Sequence, residues 1–173
     1  MSFVVCLIIS AVVFAFDQIS KLWVLQTIKP ISTMKIIPGL LSFTYVENTG
    51  AAFGIFEGQK WLLIVIVFGV IIAALWALYS NKISGKLERV CFSFIIAGGL
   101  GNVADRIRYG FVVDFLDINE LFSYPMFNVA DCFVVVGAIL LVIVTLFEDS
   151  KKKKLEQAEI PQEDSNAESD NGN

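Results

Sequence analysis

The sequence predicts an all-α membrane protein: four transmembrane helices, a small extracytoplasmic β-rich element and a short interfacial helix. Three observations lead there. The 173-residue chain is 56% hydrophobic and only 17% charged, with a mean hydropathy of +0.71. A water-soluble domain rarely carries that balance, because it cannot hide so much apolar surface. The apolar residues run in stretches close to the ~20 needed to cross a bilayer. The polar residues inside those stretches gather in short blocks.

The first span covers residues 2–25, "SFVVCLIISAVVFAFDQISKLWVL", interrupted by Asp17 and Lys21. It opens without positive charge and no A-x-A site follows, so it reads as a retained span and not a cleaved signal. Residues 35–56, "KIIPGLLSFTYVENTGAAFGIF", are short apolar pieces punctuated by Pro38, Gly39, Gly50 and Gly54. "LSFTYV" has strand character, which makes this the β-rich element. The second span, 61–79, has no charge. The third, 89–107, is apolar first and polar at its end, where "GGLGNVADR" lies. "FLDINELF", 115–122, is short and amphipathic, and is expected to lie in the interface plane as a helix. The fourth span, 129–147, carries Asp131 at its head. Residues 1–150 thus form one four-helix domain. Residues 151–173 form a tail, basic and then acidic, expected to be disordered.

Charge placement orients the chain. The loop between spans two and three carries Lys82, Lys86 and Arg89, and Lys151–Lys154 follow span four. Four spans put both regions on one side with the amino terminus, so that side is expected to be cytoplasmic. The net charge of −4 comes from the last 18 residues, which hold six carboxylates and no lysine or arginine. The lysine run fits anionic lipid headgroups. Nucleic acid is not an expected partner.

The chain has no histidine, which excludes histidine-dependent triads and H-E-x-x-H zinc sites. Cys6, Cys91 and Cys132 are far apart in apolar runs, without C-x-x-C spacing, and read as buried small hydrophobes. No metal or cofactor is called for.

Ionisable residues in membrane spans are costly, and each is a candidate site residue. Here each lies at the outward end of its span: Asp17 and Lys21 on the first, Asn102, Asp105 and Arg106 on the third, Asp131 on the fourth. Asp114 sits between apolar neighbours in the outer segment before span four. Asn102, Asp105 and Arg106 share a helix face, as do Asn128 and Asp131. Gly98, Gly99 and Gly101 allow close approach of a neighbouring helix. The plainer readings are a structural ion pair for Asp105 with Arg106, another for Asp17 with Lys21, and a helix-end stabiliser for Asp131. Two carboxylates held close share a proton, so one activates water while the other polarises a carbonyl, as in aspartyl peptidases. A proton-coupled transporter is the competing reading, but it favours acids near the midplane and repeated halves. A Ser20–Lys21 dyad fails because adjacent residues point to different helix faces.

Five blocks, "DQISK" (17–21), "NTGAAFG" (48–54), "GGLGNVADR" (98–106), "VVDF" (112–115) and "FNVAD" (127–131), together resemble bacterial lipoprotein signal peptidase, or signal peptidase II. The resemblance spans about residues 5–148, in the family's order and spacing. It implies an intramembrane aspartyl endopeptidase that cuts diacylglyceryl-modified prolipoproteins just before the lipidated cysteine. By motif, Asp114 and Asp131 fall on the catalytic pair. Asp17, Lys21, Asn48, Asn102, Asp105, Arg106 and Asn128 fall in the blocks that bind substrate or support the site. The resemblance further implies a multi-pass protein of the bacterial inner membrane, with both termini cytoplasmic, the site near the outer face and globomycin-type inhibitors as ligands. A monomer is expected. Cys132 follows the second aspartate where a small hydroxyl residue is more usual.

Overall fold

The computed structural model describes residues 1–159 apart from 81, 82 and 84, and describes 149 and 151–159 by backbone only. Among the described residues, four helices are long and apolar enough to cross a membrane. They are α1 (Phe3–Thr27), α2 (Lys60–Tyr79), α3 (Lys86–Tyr109) and α4 (Val129–Glu159). A three-stranded antiparallel sheet is built from β1 (Thr33–Ile37), β2 (Leu41–Asn48) and β3 (Val112–Asp117), in that spatial order.

Local chemistry sets the ends. Ser2 caps α1, its hydroxyl accepting from Val5 N at 3.3 Å. The Glu88 carboxylate turns back to the amide of Gly85 at the start of α3, at 3.2 Å. Gly110, at φ +89°, ends α3 in the left-handed conformation that a side chain would resist.

The helix faces divide by burial. On α1 the buried side is Cys6, Ser10, Val13, Asp17, Lys21 and Val24, a helical spacing of three to four. Val4, Ile8, Val12, Phe16 and Ile19 are exposed on the other side, which suits contact with lipid. α3 is the hub, packing on α1, α2 and α4, while α2 and α4 scarcely touch. Gly98 and Gly101 permit the close approach. A Cβ at Gly98 would strike the Ala130 carbonyl of α4, and one at Gly101 would strike the Asp17 carboxylate of α1.

The sheet sits at one end of this bundle. Val24 of α1 and Ile28, just past its end, pack with Val113 and Phe115 of β3 in one buried cluster. Trp23, Phe43 and Phe115 continue it edge to face, with ring centroids 5.7 Å apart at each step. A separate cluster of Cys6, Ile71, Ala74, Leu78, Ile83 and Ile96 fills the opposite end.

Two expectations are corrected. "FLDINELF" is not a helix: its first part completes β3, and a turn follows. The reason is non-local. β2 carries a row of backbone groups that need partners, and β3 supplies them from some 70 residues away, Val46 opposite Asp114 and Asn48 opposite Val112. Residues 151–159 are also helical, as the end of α4, so the expected disordered tail does not begin at 151. Residues 160–173 lie outside the described residues.

Candidate active site

The nine candidate site residues converge where α1, α3 and α4 meet the sheet. Asp114 is carried by β3, with only 2% of its surface exposed. Its two oxygens accept from the side-chain amides of Asn48 at 2.8 Å and Asn128 at 2.6 Å. Asn48 reaches it because the two residues are diagonal neighbours on one face of the β2–β3 pair.

Asp131 lies in the first turn of α4. One carboxylate oxygen accepts from the side-chain amide of Asn102 at 2.7 Å. The other accepts from the backbone N–H of Asn128 at 3.1 Å, while the Asn128 side-chain oxygen accepts from the Asp131 N–H at 3.0 Å. This is a reciprocal capping box. The expected helix-end role of Asp131 is therefore real, and it coexists with a place in the site. Asn128 joins the two acids, since its backbone N–H serves Asp131 and its side-chain amide serves Asp114.

Behind this pair lies a buried ionic cluster. Lys21, 1% exposed, sits 3.0 Å from both Asp17 and Asp105 and donates to Asn102 at 3.0 Å. Asp17 also accepts from the Ala130 amide of α4 at 2.9 Å, and Asp105 from the Val113 amide of β3 at 3.2 Å. One lysine between two carboxylates thus ties α1 to α3, and each carboxylate reaches on to an element that carries a candidate catalytic residue. Such an arrangement is tolerable in a low-dielectric interior only because its hydrogen bonds are made.

The expected Asp105–Arg106 ion pair is not formed. Adjacent helix residues point apart, so Asp105 meets Lys21 while Arg106 donates to the carbonyls of Gly50 and Asn102. Arg106 thereby holds the "NTG" loop, whose Gly50 amide also donates to Asn48 at 2.9 Å. Gln18 was not expected in the site. Its amide donates to Asp17 at 3.2 Å and to Asp105 at 3.1 Å. The only sequence signal for it was its place inside the first polar block.

Asp114, Asp131, Asn48, Asn102 and Arg106 line one end of a cavity of about 350 Å³. The rest of its wall is apolar: Val67 and Ile71 of α2, Ile95 of α3, Val134 of α4 and others. From Asn102 to Ile95 it descends roughly 10 Å along the helix axis, into the gap between α2 and α4. Burial and the neighbouring Asp131 carboxylate raise the Asp114 pKa to about 7, against an ordinary value of 3.8. No group of three or more His, Cys, Asp or Glu side chains with metal-site spacing gathers among the described residues.

The family model described as "Signal peptidase (SPase) II" matches residues 9–147. The chain belongs to this family. It is 40% identical over 147 residues to the lipoprotein signal peptidase of Clostridioides difficile (strain 630), covering 85% of this chain and 98% of that one. With the Clostridium novyi (strain NT) lipoprotein signal peptidase, identity is 42% over 134 residues, covering 76% and 90%. A solved bacterial membrane enzyme, determined by the in meso method at 2.3 Å resolution, superposes with a TM-score of 0.80 at 34% identity. The match covers 86% of this chain and 91% of that one. The peptidase is therefore a multi-pass membrane enzyme of a protease family.

Proposed function

We propose that Asp114 and Asp131 are the catalytic pair with which this peptidase removes signal peptides from diacylglyceryl-modified prolipoproteins, cutting just before the lipidated cysteine. The observation that carries the reading is the shared cavity. Two carboxylates from different elements, bridged by Asn128, close one end of an apolar pocket that opens between α2 and α4. A substrate anchored by acyl chains and an apolar signal helix stays in the bilayer, and that gap offers it a lateral way in.

In this scheme the pair holds one proton. The ionised carboxylate takes a proton from water as the oxygen attacks the scissile carbonyl carbon. The protonated carboxyl gives a hydrogen bond, then its proton, to the carbonyl oxygen. The resulting gem-diol collapses when the amide nitrogen receives a proton and the C–N bond breaks, leaving an acid on the signal peptide and an amine on the cysteine. The raised pKa of Asp114 supports a proton retained by the pair at neutral pH. Asn48, Asn102 and Asn128 hold the acids in register, and Lys21 with Asp17 and Asp105 fixes the three helices behind them.

Lysine and arginine placement supports cytoplasmic termini and a site near the outer face, and the family supports a location in the bacterial inner membrane. The protein acts as a monomer, and a globomycin-type inhibitor occupies the same cavity. The test is cleavage in detergent of a diacylglyceryl-modified prolipoprotein by the wild type, Asp114→Asn and Asp131→Asn. The wild type should cut before the lipidated cysteine, and both variants should bind and not cut. Near-full activity in either folded variant would refute the dyad.

A further inference from the structure

A second cavity, of about 370 Å³, lies on the other side of Asp114. The two cavities share Asn48, Ala51, Asp114, Pro125 and Met126 in their walls. Their chemistry differs. The first runs down between apolar helices, whereas the second lies at the end of β2, where Phe53, Pro125 and Met126 share the wall with Thr49 and the carboxylates of Glu47 and Glu57. A peptide cut at Asp114 has one side of the scissile bond facing each. An apolar signal segment suits the first, which leaves the second for the polar chain that follows the cut.

Glu57 gives that second cavity a charge. Its loop is set by left-handed residues, Gly54 at φ +75°, Phe56 at +58° and Gly58 at +73°. The loop folds tightly onto Gly50, where an added Cβ would come within 3.3 Å of the Glu57 backbone. Gly50 is itself held by Arg106. Glu57 is thus positioned by the residues that build the site. Its carboxylate accepts only a long bond, 3.5 Å, from the Thr49 hydroxyl, and it has no ion-pair partner among the described residues. Glu47, by contrast, is turned to Lys29 and Tyr45, at 3.2 and 2.7 Å.

We infer that this cavity is the subsite for the first residues of the mature chain, and that Glu57 makes it favour lysine or arginine there over aspartate or glutamate. This rests on the proposed function. An exposed rim charge acts mainly on encounter and register, so the preference is modest, roughly three-fold per substrate charge, and weakens with salt.

The experiment uses the full-length protein in detergent and three diacylglyceryl-modified prolipoproteins. They carry serine, lysine or glutamate at the second to fourth positions counted from the lipidated cysteine. The readout is the Lys-to-Glu ratio of kcat/KM within each variant, so a general loss of activity cancels. The ratio should exceed one in the wild type, fall to about one in Glu57→Gln and invert in Glu57→Lys. Glu120→Gln, which removes another acid from the same outer face, should leave it unchanged. Equal rates in the wild type would overturn the subsite, as would a ratio that survives both Glu57 changes or vanishes in Glu120→Gln. Failure of the wild type to cut even the serine substrate would refute the proposed function itself.

Discussion

Asp114→Asn should abolish cleavage and yet, in alkaline buffer, stabilise the protein. Burial and the Asp131 carboxylate raise the Asp114 pKa from 3.8 to about 7. A carboxyl whose pKa rises on folding holds its proton more tightly in the native state. Its contribution to stability is complete below the unfolded value and is lost as pH climbs to the folded one. At about 1.4 kcal/mol per pH unit, that window amounts to about 4 kcal/mol lost by pH 8. Asparagine cannot ionise and escapes this loss. It also has one acceptor oxygen where Asp114 has two, so its NH2 would face one of the amide donors of Asn48 and Asn128. One mismatched buried hydrogen bond costs about 1–3 kcal/mol. The variant should therefore be less stable than the wild type by about 1–3 kcal/mol near pH 4, and more stable by a similar amount near pH 8.5. Thermal unfolding in detergent across that range reads the crossover directly. A stability difference of constant sign and size would refute the claim that ionisation of Asp114 opposes folding.

The same pKa bears on rate: kcat/KM should fall about tenfold per pH unit above about 7 as the shared proton leaves, and a pH–rate profile flat to pH 9 would contradict it. Lys21→Met should destabilise the fold by about 3–5 kcal/mol, because Asp17 and Asp105 would be left buried without their cation; chemical or thermal unfolding measures this. Gly101→Ala would drive a methyl into the Asp17 carboxylate. It should cost about 1–3 kcal/mol, and it should depress kcat, since Asp17 also fixes the Ala130 amide one residue before Asp131.

The spans were legible because a bilayer demands long apolar runs: α1 to α3 begin and end within about three residues of the expected bounds, and α4 begins at 129 as expected but runs on past 147 to Glu159. The clustering of the candidate residues was partly legible: a charge in a span is costly enough to need a reason, whereas Asn48, Asn102 and Asn128 stood out only as members of the same blocks. What the sequence hid was pairing over distance. "FLDINELF" has the amphipathy of a helical turn, yet Phe115 enters the core beside Val113 and Phe43 only because β2 is there to pair with. "DR" at 105–106 looks like an ion pair on paper, yet the helix turns the two side chains to different partners. Gln18 reads as an ordinary polar residue near a membrane edge. Its value comes from two carboxylates, and Asp105, on α3, is far along the chain.

The capping box on α4 makes one side chain serve two purposes. Asp131 is oriented by closing the end of the last span, through Asn128, which also holds Asp114. During synthesis Asp114 emerges first, but it meets its partner only after the fourth helix has threaded the bilayer and its first turn has locked. With Asp114 and Asp131 as the proposed catalytic pair, proteolytic competence is the final event of assembly. A chain stalled or truncated before that point would sit in the membrane as an inert bystander instead of a half-built protease, and any agent that frays that first turn would switch the enzyme off by pulling Asp131 out of the cavity wall.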